Sequence, residues 1–324
     1  MLGHLLGQRP IWRLYVLFPD CEQRIYHRRM AVVATEGKHR ISRRTFLKVG
    51  GVAAVGLPLY AAEVSRHEIS IERRTIHLNR LPEAFHGFRI VQISDFHYGE
   101  FTEPYFLREV VRHVNRLKPD AVVLNGDYVT MGYLPQARTI GNADPCAEIL
   151  SGVTCSQRFA VLGNHDSTFA RPAVVSALAN HRLPLLYNSY MPLERGGARL
   201  WFAGTGDACS RKVDLDTAVP KSSRTDGEPV VLMVHEPDVL PHVARYNVDL
   251  MLSGHTHGGQ IRLPFLPPMH LPPLGKLYAE GLFRLGPTQL YVNRGVGTVV
   301  LPMRFNCPPE ITEITLSSAP ALKL

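Results

Sequence analysis

The sequence predicts an α/β protein in which two sheets pack together and are flanked by helices. Three observations predict it. Short apolar runs alternate with helical patterns after residue 63; the first half is rich in helices and the second in strands; and apolar strands end, one after another, in polar turns. RIVQISD (89–95) reads as a buried strand, and Phe106, Leu107, Val110, Val111, Val114 and Leu117 then fall at helical spacing. AVVLNGD (121–127) is the next strand. A loop with Pro and Gly leads to a helix beginning near Asp144-Pro145, where Asp caps and Pro fits the first turn. FAVLGNHD (159–166) is a third strand with its turn, and PAVVSALANH (172–181) a further helix. From about residue 185 the strands LPLLYNS, RLWFAGTGD, PVVLMVH, VDLMLSGH, QLYVNRG and ITEITL follow, with only 238–246 helical among them. The polar stretch 210–228 and the Pro-rich stretch 263–273 read as surface loops.

A formal charge of +8 invites a search for nucleic acid, but its distribution argues otherwise. Residues 1–62 hold ten Lys and Arg against three Asp and Glu, leaving 26 against 25 in residues 63–324. The near-neutral body has no basic, aromatic-studded stripe, so nucleic acid is not an expected partner. The chain therefore divides into a basic leader, 1–62, and a single domain, 63–324. Within the leader, SRRTFLK (42–48) precedes the weakly apolar run VGGVAAVGLPLYAA, 14 residues long and short for a membrane span. The paired arginines resemble the twin-arginine export signal. Leu59-Tyr60-Ala61-Ala62 supplies no good cleavage site, so the signal is expected to be able to stay as an anchor, and Met30 would give a leader of ordinary length. These features place the domain outside the cytoplasm, in the periplasm or on the outer face of the cytoplasmic membrane, with the twin-arginine machinery as a partner. Of five cysteines, Cys21 lies in the leader, and the other four have neither CxxC spacing nor the density of a disulfide scaffold.

The strand ends carry the chemistry. Asp95 and His97 follow RIVQIS, Asp127 follows AVVLNG, Asn164 follows AVLG, His235 follows VVLMV, and His255 and His257 follow DLMLSG. Ligands at the carboxyl ends of strands converge on one edge, the usual place for a site in open α/β folds. Two carboxylates, one amide oxygen and four imidazoles make a mixed N/O set without thiolate, suited to manganese, iron, zinc or nickel. Seven donors are too many for one ion and enough for two, an arrangement that activates a water between the ions and clamps a phosphoryl group.

The blocks DFH (95–97), GD (126–127), GNHD (163–166), His235 and GHTH (254–257) resemble, in order, the signature blocks of the calcineurin-like metallophosphoesterase superfamily. GHTHGGQIRLP and NRGVGT resemble more narrowly its branch of exported, twin-arginine-bearing phosphodiesterase-like proteins. The resemblance implies a four-layer αββα sandwich of two mixed sheets and two divalent or trivalent ions. It implies that Asp95, His97 and His257 hold one ion, Asn164, His235 and His255 the other, and that Asp127 bridges them. His165 would protonate the leaving oxygen or stabilise the transition state, and Asp166 would orient its ring. Asp207 and Arg294 are weaker candidates, for substrate contact or for a structural pair. The loop after the last ligands carries Phe265, Leu266, Met269 and Leu271 and is a candidate grip for a lipid tail.

The function these residues imply is a di-metal phosphodiesterase acting on envelope or lipid-linked phosphoesters, by attack of a hydroxide shared between the ions. Two alternatives stand beside it: a UDP-2,3-diacylglucosamine pyrophosphatase-like enzyme of lipid A synthesis, and a non-catalytic metal-binding scaffold.

Overall fold

The computed structural model of the protein describes residues 42–318 apart from 100, 131–134 and 226. The proposed start at Met30 and the N-terminal part of the leader lie outside the described residues. The chain divides into two compact units, Met1–Leu47 and Lys48–Leu324. Ser42 opens a helix by accepting the Thr45 N–H on its hydroxyl at 3.1 Å. That helix, α1 (Arg43–Leu59), has no buried residue. Helical turns run on to His67, so the stretch Arg43–His67 is 25 residues and by length and composition is able to cross a membrane. The apolar run alone suggested something shorter.

The second unit holds two mixed sheets. β1 (Ser70–Leu78), β2 (Arg89–Ile93), β3 (Ala121–Asn125) and β4 (Arg158–Val161) belong to the first, with α2 (Pro104–Leu117), α3 (Gln136–Gly141), α4 (Ala143–Ser151) and α5 (Arg171–Asn180) between or after them. β5 (Ser189–Arg195), β6 (Ala198–Gly204), β7 (Val230–Met233), β8 (Leu250–Ser253), β9 (Gly281–Leu285) and β10 (Thr288–Val292) form the second, and β11 (Glu310–Ser318) returns to the first. The orders are β1-β11-β2-β3-β4 and β5-β6-β7-β8-β10-β9. β2, β3 and β4 run parallel, as do β6, β7, β8 and β10.

Side-chain alternation assigns the layers. In β2, Val91 and Ile93 pack with Phe106, Leu107 and Val110 of α2, whereas Ile90 on the other face joins Val123, Phe159 and Val161 against Phe202, Val231, Met233 and Leu252 of the second sheet. The far face of the second sheet, with Trp201, Leu232 and Met251, is covered by Leu215, Leu240 and Val243 from short helices. The result is the four-layer αββα sandwich. Phe159 and Phe202 stack across the central layer with centroids 4.4 Å apart, and two amides tie the sheets near one end: Gln92 donates to the Ser253 carbonyl at 2.8 Å and Asn125 to that of Leu252 at 3.0 Å.

The structure departs from the sequence reading at the margins. β1 and β9 were not expected. LPLLYNS is not a strand; the strand there is β5, which begins at Ser189 and contains Pro192. It is an edge strand, where a residue without an N–H leaves no central ladder unpaired. The helix expected over 238–246 is reduced to Leu240–Val243 after a 3-10 turn, and 210–228 contains two short helices. Cys146, Cys155, Cys209 and Cys307 are free thiols.

Because Phe202 has no exposed surface and fills the inter-sheet layer, Phe202→Ala is expected to cost about 3 to 5 kcal/mol. Urea denaturation of the variant should show that loss as a lower midpoint.

Candidate metal centre

The parallel strands of both sheets deliver their carboxyl ends to one edge, and the chain turns sharply there. Asp95 (φ 53°), His97 (φ 43°), Asp127 (φ 56°), His255 (φ 73°) and His257 (φ 52°) all adopt the left-handed region. Asp and His tolerate it better than most side chains, and such strain persists only where surrounding structure holds it. The restraints are visible. The Asp95 N–H donates to the Gly126 carbonyl, and those of His97 and Tyr98 to the carbonyls of Asp127 and Tyr128, lacing the turn after β2 to the turn after β3. Two glycines permit the crowding. A Cβ on Gly254 would lie 2.4 Å from Asp95 Oδ2, and one on Gly126, at φ 87°, would lie 2.6 Å from the Gly163 nitrogen.

Of the four donor groups among the described residues, three gather at this edge: Asp95, His97 and His257; Asp127, His235 and His255; and His97, Asp127 and His165. His257 Nε2 is 3.4 Å from Asp95 Oδ1 and 2.9 Å from His97 Nε2. Asp127 Oδ2 lies 3.6 Å from His97 Nε2 and 3.2 Å from His235 Nε2, so one carboxylate faces both halves. Its other oxygen accepts the His165 N–H at 2.9 Å. Asp95 accepts the His255 N–H and the Ser94 hydroxyl.

Hydrogen-bond bookkeeping shows that these residues fit metal ions. His255 Nε2 is 2.8 Å from the Pro273 carbonyl, which can only accept, so the ring proton sits there and Nδ1 carries a lone pair. That lone pair faces Asn164 Oδ1 at 2.8 Å. Two acceptors that close need a cation between or beside them, or an amide turned end for end. His235 repeats the pattern: Nδ1 donates to the Asn125 carbonyl at 2.7 Å, and Nε2, buried and without a hydrogen-bond partner, faces carboxylates. Fixing a ring's tautomer through its far nitrogen is how metal-binding histidines are oriented.

Electrostatics agree with that donor set. Burial holds His97 down to about 3 and His255 to about 4, and lowers His257 well below the usual range, so all three are neutral at pH 7. Burial lifts Asp95 to about 6. Burial disfavours charge on His235 too, but the Asp127 and Asp95 carboxylates outweigh it and raise the ring well above its usual value. A proton held there is what a cation would displace.

Other expected roles are redistributed. His165, half-buried, has its ring 4.8 Å from that of His97, and its Nδ1 faces the Thr130 hydroxyl at 3.3 Å. Asp166 does not orient it. Asp166 spends both oxygens on backbone N–H groups, Oδ2 on Asp127 and Gly163 and Oδ1 on Tyr128 and Val129, and so braces the turn that presents Asp127. Arg294 is not available for a phosphate: it pairs with Glu310 and Glu72 at 2.8 Å and approaches Glu280 at 3.7 Å. Nor is Asp207 its partner, because Asp207 accepts the backbone N–H groups of Cys209 and Ser210 and lies against Glu236.

Three residues had no signal in the sequence. Arg304, fully buried, donates to the carbonyls of Arg294, Gly295 and Gly297, and Gly297 in turn donates to the Asp95 carbonyl. Gln260 ties the loop after the last histidines to Val299 and Leu301. Glu236 is buried beside Asp207, and burial pushes it up to about 8. A cavity of about 650 Å³ opens over Asp127, Asn164, His165 and His255.

Residues 88–259 match the calcineurin-like phosphoesterase family. The chain is 35% identical over 289 residues to the metallophosphoesterase YkuE of Bacillus subtilis, covering 86% of this chain and 99% of that protein. It is 29% identical to the phosphodiesterase YaeI of Escherichia coli, covering 71% and 82%, and 30% identical to the UDP-2,3-diacylglucosamine pyrophosphatase LpxG of Chlamydia trachomatis, covering 74% and 87%.

Glu236 gives the metal-free protein a testable pH response. Its raised pKa adds stability that is full below about 4.5 and lost as pH rises toward about 8. The lowered His97 and His255 act the other way, but only below 6.5. Asp166, also pushed up by burial to about 8, and the raised His235 act in the same direction as Glu236, so between pH 6.5 and 8 the melting temperature of the chelator-treated protein should fall, and Glu236→Gln should reduce that fall without abolishing it.

Proposed function

From its membership of the calcineurin-like phosphoesterase family, we propose that this phosphoester hydrolase is an exported phosphodiesterase acting on envelope or lipid-linked phosphoesters. The observation that carries the reading is the pair of donor clusters facing one carboxylate, Asp127, with acceptor set against acceptor at Asn164 and His255. Asp95, His97 and His257 would hold one ion, and Asn164, His235 and His255 the other, with Asp127 shared. Such ions, manganese, iron, zinc or nickel by donor type, supply Lewis acidity toward phosphoryl oxygens and activation of water.

The chain's own residues do the rest. Neutral Asn164 limits the negative charge presented to an anionic phosphate. His165, fixed through its backbone by Asp127 and through Nδ1 by Thr130, is placed to give a proton to the leaving oxygen or to balance developing charge. Asp166 keeps the Asp127 turn rigid.

The SRRTFLK sequence and the exposed helix that begins there support export by the twin-arginine route and retention at the outer face of the membrane. Export would separate the site from cytosolic nucleotides and favours diesters over nucleotide pyrophosphates. The 30% identity to a UDP-2,3-diacylglucosamine pyrophosphatase supports a second reading, hydrolysis of a lipid-linked pyrophosphate.

A panel of monoesters, diesters, nucleotide pyrophosphates and phospholipids tests the choice on metal-reconstituted protein. Fastest turnover of diesters is expected; faster cleavage of UDP-diacylglucosamine would favour the second reading, and no cleavage at all would contradict both. Asp127→Asn should lower metal content at both positions, measured by elemental analysis. His165→Ala should keep both ions and lower kcat by ~10²- to 10⁴-fold.

A further inference from the structure

The cavity that holds several of the metal donors is also lined by apolar side chains. Ile261, Met269, Pro272, Val299, Val300 and Leu301 give the cavity an apolar wall, and Asp127, Asn164 and His165 line the same cavity. Met269 and Val300 are 63% and 61% exposed, and Leu301 43%, so this wall is apolar surface left open to water beside a charged centre. Soluble proteins rarely keep such patches without an occupant.

The wall is also built with care. Val300 sits at φ 65°, a conformation that is a genuine outlier for a β-branched residue. It is held by Gln260, whose side chain is spent on three hydrogen bonds to the flanking residues: Nε2 donates to the Val299 and Leu301 carbonyls at 3.0 Å, and Oε1 accepts the Val299 N–H at 2.9 Å. A second tie runs from the Phe305 N–H to the Gln260 carbonyl, and from the Arg262 N–H to that of Phe305. The loop is thus fixed in a strained shape whose effect is to turn aliphatic side chains toward the cavity. Met269, which lines the same cavity, is unbranched and adaptable and suits contact with a flexible apolar group.

We propose that this wall is a binding subsite for a hydrocarbon chain carried by one ester arm of the substrate, the phosphoryl group lying over the donor clusters. The assignment rests on the phosphoester-hydrolase reading above and adds the chemistry of the substituent. A nucleobase is a poorer fit: the lining has no Phe, Tyr or Trp to stack on, and of its two amides Gln260 is committed to the loop and Asn164 is set against His255. A membrane lipid and a free amphiphile present the same methylenes to such a subsite.

A series of alkyl p-nitrophenyl phosphodiesters from methyl to decyl, kept below micelle-forming concentrations, tests the subsite on the metal-reconstituted full chain. Burying a methylene is worth ~0.8 kcal/mol when complete, so kcat/KM should rise by roughly two- to fourfold per added methylene and then level. Val300→Ser and Met269→Ser should each lower the decyl-to-methyl ratio, whereas a loss of fold would lower both rates alike. Cleavage of the methyl ester with no dependence on chain length overturns the subsite and leaves the hydrolase reading standing. If no ester is cleaved, the hydrolase reading fails, and calorimetry with decyl and methyl phosphate decides the subsite: tighter binding of decyl phosphate, reduced by Val300→Ser, supports it, and equal affinities overturn it. Presenting the decyl ester in phosphatidylcholine vesicles separates the sources, faster turnover than for the monomer indicating a membrane lipid and slower turnover a free amphiphile.

Discussion

The carboxylate of Asp127 is where the two sheets meet chemically. It comes from the first sheet, yet one of its oxygens faces both His97 of that sheet and His235 of the other, at 3.6 and 3.2 Å. Much of the surrounding structure keeps it there: the left-handed turn at Asp127, the laced turns after β2 and β3, the absence of a side chain at Gly126, and the four backbone N–H groups gathered by Asp166. Buried carboxylates side by side are unfavourable unless something positive stands between them. Without a cation that role falls to a proton on His235, which is why burial and Coulomb attraction oppose each other there.

The sandwich gives this edge its rigidity. Apolar side chains occupy the central layer, but near the site two buried amides, Gln92 and Asn125, reach across to carbonyls of β8. They fix the register of one sheet over the other with directional bonds that apolar contact alone does not provide. The donors on β7 and β8 therefore arrive at a set height over those on β2, β3 and β4.

Central strands were legible in the sequence because burial on both faces makes them continuous apolar runs. The edges were not. β1 carries Glu72, Arg73 and Arg74, β5 contains Pro192, and β9 is mostly exposed; each lies at the margin of its sheet, where charge and proline protect an open ladder. The seven proposed donors were visible because each follows such a run directly. What supports them was not: Asp166 acts through the N–H groups of residues 127–129, far along the chain, and Arg304 through carbonyls of the turn at 294–297, one of whose residues, Gly297, bonds to Asp95. Asp166 sits beside His165 in sequence, and proximity suggested a partnership that the backbone N–H groups of residues 127–129 claim instead. For Arg294 substrate contact and a structural pair were both open, and Glu72 and Glu310 are its ion-pair partners.

The most direct measurement is anomalous X-ray scattering from crystals of the protein grown with manganese. Two peaks are expected, one beside Asp95, His97 and His257 and one beside Asn164, His235 and His255, with Asp127 in contact with both. A single peak, or two peaks of which Asp127 touches only one, would contradict the shared-carboxylate centre.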